Sequence, residues 1–293
     1  MSMSPKLILA GLVLGLSGVA SAQTPPRSPY PNDVYCAGTV TSESVPRDRY
    51  VISGEQSEYR ATFDENDFVY VNKGSNQGAK VGDVFLVIRP VTQFLHEDWS
   101  KWQSHLLGEM GTVWEDIARV QVVNVRADVS VARVAHACDF VQRGDIVLPF
   151  AERPEPPLKP ETNFDPFILP TGKSLAMIVS GKEFRQQFGR NDIVYVNLGS
   201  KQGVHVGDYF RIFRYTDGQH ETAFQTRRYP FDVEGPWGPT VGLGSSPSKW
   251  DWKNTPRQNI GEGVVLRTGP NSSTVLITFS LREIFSGYYV ELE

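Results

Sequence analysis

A 27-residue segment occurs twice in this chain. Phe63 to Arg89, which contains Asn66-Asp-Phe-Val-Tyr-Val-Asn-Lys-Gly-Ser-Asn-Gln-Gly, returns without a gap as Phe188 to Arg214, which contains Asn191-Asp-Ile-Val-Tyr-Val-Asn-Leu-Gly-Ser-Lys-Gln-Gly; 16 of 27 positions are identical. An ungapped match of that length predicts one supersecondary unit built twice. A weaker match follows, Ser130 to Val147 with Ser273 to Val290. The first pair of segments is offset by 125 residues and the second by 143, so the second copy carries 18 extra residues between its halves. These fall in an insertion, 216–259, whose Gly235-Pro-Trp-Gly-Pro and Gly242-Leu-Gly-Ser-Ser-Pro-Ser runs disfavour regular structure.

Each copy reads as short strands. Val69-Tyr-Val-Asn and Val194-Tyr-Val-Asn are β-prone and end at Gly-Ser-x-Gln-Gly, where glycine supplies the backbone of a tight turn. Val84 to Arg89 and Tyr209 to Arg214 follow, with Phe85 and Val87, and Phe210 and Ile212, predicted to face inward. The same alternation recurs in Ala118 to Val125, Val131 to Ala137 and Thr274 to Phe279. A helix is predicted only around Glu97 to Leu107, where Trp99, Trp102 and Leu106 recur at helical spacing. The expected fold is therefore all-β: two tandem small β-barrels, residues 34–150 and 172–293, the second with the long insertion. Residues 151–171 are proline-rich and predict an extended, semi-rigid linker, and 23–33 a flexible leader.

Residues 1–22 have the pattern of an export signal: Lys6, an apolar run from Leu7 to Leu16, then Ala20-Ser-Ala22 before Gln23. That run is too short for a permanent helical span, which needs about 20 apolar residues. A periplasmic or extracellular protein with no stable membrane span is expected. In such a compartment the two cysteines, Cys36 and Cys138, are expected to form a disulfide. The 29 basic and 33 acidic residues leave no basic stripe to follow a phosphate backbone, so nucleic acid is not an expected partner.

The pattern Asp192-x-Val-Tyr-Val-Asn-x-Gly-Ser-x-Gln-Gly-Val-x-Val-Gly-Asp-x-Phe, followed by Gly261-Glu-Gly-Val-Val-Leu and Ser273-Thr-Val-Leu-Ile, resembles small β-barrel units of bacterial envelope proteins. The C-terminal domain of the flagellar-assembly protein T family and the barrels of rod-shape-determining protein C are the families it is similar to, and related units accompany LysM modules. The resemblance implies non-catalytic barrels that mediate contacts within envelope assemblies. Val81-Gly-Asp continues into strand-like Val84-Phe-Leu-Val-Ile rather than a helix, so no LysM module itself is expected.

The acids that recur, Asp67 with Asp192 and Asp83 with Asp208, sit at turns, where a carboxylate bonds nearby backbone N–H groups. Recurrence favours that reading, because a turn is needed every time the unit is built and a catalytic group only once. Ser246-Pro-Ser-Lys249, Tyr195-Val-Asn197 and Arg267-Thr-Gly269 approach the motifs of penicillin-recognising serine enzymes, but in the wrong order. His96, Glu97 and His105 have no compact ligand spacing, and His136, His205 and His220 stand alone, so neither a metal nor a cofactor is expected. The insertion concentrates Trp237, Trp250 and Trp252 with Tyr229 and Phe231, residues typical of recognition surfaces and equally able to bury themselves over a barrel end. The expected function is a non-enzymatic interaction or scaffolding module for an envelope protein. The alternative is binding of peptidoglycan or another polysaccharide through those aromatic residues.

Overall fold

A computed structural model of the chain describes residues 28–91, 98–100, 102–160, 164–215 and 256–293. The chain is predominantly β. It starts with a short helix, α1 (Pro31–Tyr35), and continues through β1 (Thr39–Thr41), β2 (Val51–Gly54), β3 (Thr62–Phe63), β4 (Phe68–Val71) and β5 (Val84–Val91). A second helix, α2 (Gln103–Met110), precedes β6 (Thr112–Val125), β7 (Ser130–Ala137), β8 (Val141–Gln142) and β9 (Ile146–Pro149). After the linker come β10 (Leu175–Gly181), β11 (Gln187–Phe188), β12 (Ile193–Val196), β13 (Tyr209–Arg214), β14 (Gln258–Thr268), β15 (Ser273–Ser280), β16 (Ile284–Phe285) and β17 (Tyr289–Leu292).

The second unit is a closed six-stranded barrel, in the order β10-β12-β15-β14-β13-β17. The first unit follows the corresponding order, β2-β4-β7-β6-β5-β9, with β1 added beside the start of β6. Its two outer strands meet only at a Tyr50–Ile146 bridge, with backbone bonds from Val51 N to Asp145 O (2.9 Å) and from Gly144 N to Val51 O (2.8 Å). In the second unit β10 and β17 pair through three residues, Leu175 with Glu291 to Met177 with Tyr289. Strand β2 has four residues where β10 has seven, and it begins at Val51, just past the residues that face β9, where Val147 N donates to Arg49 O (2.9 Å). A regular closed barrel is thus found in the second unit, whereas a sheet joined edge to edge by a bridge occupies the first.

Alternation decides what fills each unit. Phe85 and Val87 on β5, and Phe210 and Ile212 on β13, are buried as their spacing predicts, with Val69, Val71, Val120 and Val134 around the first pair and Val194, Val196, Val265 and Ile277 around the second. The Gly-Ser-x-Gln-Gly turns dock on the neighbouring hairpin in matching ways. Ser75 N donates to Arg126 O (2.8 Å) and Ser200 N to Gly269 O (2.9 Å), while Gln77 and Gln202 accept from Gly74 N and Gly199 N (2.8 and 2.9 Å).

Close approach is what requires glycine there. A Cβ on Gly199 would lie 2.4 Å from both Gly269 O and Ser272 N, and one on Gly74 2.3 Å from Ala127 O. Gly199→Ala is expected to cost about 1–3 kcal/mol by forcing backbone apart. Gly189→Ala meets nothing within 4 Å and is expected to stay within about 0.5 kcal/mol of wild type. Urea midpoints of the two variants provide the comparison.

Three boundaries differ from the sequence reading. The helix runs Gln103–Met110 rather than 97–107, because Trp102 takes a left-handed backbone (φ 68°) that cannot lie within a helix. The leader is not irregular to residue 33, since Pro31 opens α1 in the first-turn position where a missing N–H costs nothing. The insertion ends earlier than 259, because Gln258 and Asn259 pair with Arg214 and Phe213. The linker contains no regular element among its described residues but is pinned along both units: Leu158 packs into an apolar cluster and Lys159 N donates to Tyr209 Oη (2.6 Å). No helix among the described residues is long and apolar enough to cross a membrane.

Candidate functional site

The densest polar site lies where the two units meet. Asp116 projects from β6, its side chain 1 % exposed. It accepts two hydrogen bonds of 2.8 Å from the Arg153 guanidinium, one of 3.2 Å from Arg267 Nη1 and one of 2.9 Å from Gly38 N. Arg153 comes from the linker and Arg267 from β14, so one carboxylate ties three separate parts of the chain together. Planar guanidinium groups match a carboxylate in this bidentate way, and hydrogen bonds between ionised groups are about twice as strong as neutral ones.

Apolar and neutral contacts surround this ion cluster. Ala37, Val40, Met110 and Val113 of the first unit share a buried cluster with Val179, Tyr195, Val264 and Leu276 of the second. Tyr195 donates to Ala37 O (3.2 Å), Thr274 Oγ1 to Gly38 O (3.3 Å), and Ser272 Oγ to Val40 O. Gln103 at the start of α2 donates to Val179 O (2.6 Å) and to Gln186 Oε1 (2.9 Å). Gly38 has φ 67°, and a Cβ there would stand 2.7 Å from Tyr195 Oη. The motif-like Tyr195, Asn197 and Arg267 are thus placed in structural roles, Asn197 Oδ1 accepting from Met177 N (2.7 Å). Ser246 and Lys249 lie outside the described residues.

The recurring acids occupy turns as expected. Asp67 accepts from Asp64 N (2.8 Å), Asp192 from Gly189 N (2.7 Å), Asp83 from Lys80 N (2.9 Å) and Asp208 from His205 N (2.8 Å). Each closes the turn three residues behind it. An arginine also meets both members of the first pair: Arg60 bonds both oxygens of Asp67, and Arg185 pairs with Asp192 at 2.9 Å.

The hydrogen bond from Arg60 holds the Asp67 carboxyl below its usual range, against a smaller upward push from burial. A carboxyl whose folded value is depressed stabilises the fold above its unfolded value, about 3.9, and that contribution is lost as pH falls through the folded value. The stability advantage of wild type over Asp67→Asn is therefore expected to shrink on going from pH 6 to pH 2, as read from urea midpoints. A constant difference would show that the ion pair contributes nothing.

A groove of about 700 Å³ separates α2 from the second barrel, with Leu106, Leu175, Met177 and Asn197 in its walls, and the i,i+4 pair His105–Glu109 (3.4 Å) along one side. Trp237, Trp250, Trp252, Tyr229 and Phe231 lie outside the described residues, as do His96, Glu97 and His220.

Cys36 and Cys138 form the disulfide, with Cα atoms 5.5 Å apart and a sequence separation of 102. It fastens the chain after α1 to the end of β7. His136, which sequence spacing leaves isolated, has its Nε2 3.8 Å from Cys36 Sγ. The sequence carries only part of this: residues i and i+2 of an extended chain share a face, which puts His136 on the side of Cys138, whereas what meets them there is set by the fold.

These features define the class of the molecule: a predominantly β protein built around a closed six-stranded barrel and packed against a second sheet of corresponding strand order. No family model matches the chain, and no curated protein matches it.

Proposed function

We propose that this chain is a non-catalytic, exported envelope protein: one β unit used twice, acting as an interaction or scaffolding module that presents the insertion of its second unit to a partner protein. The observation that carries this reading is the locking of the two units through Asp116. The acids that recur between copies close turns, and the densest buried polar cluster joins the units to each other. A rigid two-unit body holds Tyr215 and Pro256, the described residues flanking the insertion, at the end of one pair of adjacent strands. Such rigid placement of a loop is how scaffolds generally carry recognition.

Affinity purification of the mature protein from its native organism tests this. A partner retained by the full chain and lost on deleting 216–255 is the expected result. Recovery of none, at a sensitivity that recovers known complexes, would overturn it. Sedimentation with purified peptidoglycan, abolished by Trp250→Ala together with Trp252→Ala, would instead assign the insertion to a glycan.

A further inference from the structure

We propose that Cys36, His136 and Cys138 form a redox-gated site for a thiophilic d10 metal ion, closed while the cysteines are joined and opened by reduction. Their ligand atoms, two Sγ and one imidazole nitrogen, lie within 4.8 Å of one another. Donors bound to a common ion at about 2.3 Å (sulfur) and about 2.0–2.1 Å (nitrogen) stand roughly 3.6–3.8 Å apart. His136 Nε2 is already 3.8 Å from Cys36 Sγ. The two sulfurs, bonded to each other in the disulfide, have to separate, which scission of the S–S bond allows.

The second unit supplies an internal control. Cys138 N donates to Ile117 O (2.8 Å), and Leu281 N, its counterpart, donates to Ile260 O (2.7 Å), so the backbone follows the same path in both units. There the positions of His136 and Cys138 are held by Phe279 and Leu281. The fold at this strand end therefore needs neither an imidazole nor a sulfur. The disulfide alone explains the tethering of α1, and an imidazole adds nothing to a tether. What a nitrogen donor adds to two sulfurs is a ligand set.

Thiolate and imidazole together select soft ions: copper(I), which is satisfied by three donors, or zinc(II), which would take water as a fourth. Cys36 is buried, whereas His136 and Cys138 are partly exposed, leaving a way in from solvent. The chemistry balances with an external dithiol as reductant. Its two electrons and two protons convert the S–S bond into two thiols, and it leaves as its own disulfide. Metal binding then releases the two thiol protons.

The test uses full-length mature protein, reduced with a phosphine, desalted without oxygen and titrated separately with Cu(I) and with Co(II), the coloured stand-in for zinc. One equivalent of either ion, bound with thiolate-to-metal charge-transfer absorption and protecting both cysteines from alkylation, is the expected result. The oxidised protein is expected to bind neither. His136→Phe, the residue of the second unit, should keep the disulfide and the thermal transition of the oxidised protein while weakening metal binding at least tenfold. Failure of both ions to bind reduced, folded protein would overturn the proposal, as would unchanged affinity in His136→Phe. So would unfolding on reduction that neither ion reverses.

Discussion

Replacing Asp116 by alanine is expected to cost about 3–5 kcal/mol of folding stability, the penalty for leaving buried charges without their partner. The size follows from what remains. Arg153 and Arg267, 11 % and 26 % exposed, would face each other with no carboxylate between them, and Gly38 N would lose its acceptor. Asp116→Asn keeps the shape and one acceptor oxygen but removes the charge, so it should fall between alanine and wild type. Urea denaturation gives the comparison. Because the ion cluster spans both units, the alanine variant should also lose the single transition expected of one cooperative body and show the two units melting apart. A loss below about 1 kcal/mol with one unchanged transition would mean that the apolar cluster around Val40 and Tyr195 holds the units without help from charge.

Removal of the disulfide, as Cys36→Ser with Cys138→Ser, should have an effect of similar size by a different route. The bond closes a loop spanning 102 residues, and the chain-entropy model assigns about 4.7 kcal/mol to a loop of about 100 residues. Measured losses for native disulfides run from about 2 to 5 kcal/mol, and this variant is expected within that range. The effect acts on the unfolded chain, so the strands of the first unit should keep their pairing, and the far-ultraviolet circular dichroism should not change below the transition. A loss of β signal at low temperature would show instead that the tether is needed to build the first sheet.

Much of the fold is visible in the sequence because β-strands leave a local trace. Tyr209–Arg214 is found where alternation places it, since Phe210 and Ile212 share the face that fills the barrel while Arg211 stands between them on the other. The turn acids are legible for the same reason, as an aspartate three residues past an N–H needs no distant partner. Strands β2 and β10 are not, because Val51-Ile-Ser-Gly and Leu175-Ala-Met-Ile-Val-Ser-Gly carry no clear period of two and are defined by the neighbours they pair with. The helix starts at Gln103 because Trp102 takes a left-handed backbone, and the Gln103 side chain there reaches across to Val179 O and Gln186.

The site divides along the same line. Nothing near Asp116 in the sequence announces that Arg153, 37 residues on, and Arg267, 151 residues on, will converge on it. Such pairs are set by packing between units rather than by neighbours in the chain. By itself the sequence determined that a segment of short strands and glycine turns is written twice and that its recurring acids serve those turns, since such bonds reach only a few residues. The tertiary structure alone decided that the first unit closes through a bridge, that the units are fused rather than strung on a linker, and that His136 stands beside the cysteines. Each of these depends on distances across the folded molecule, which no local pattern carries.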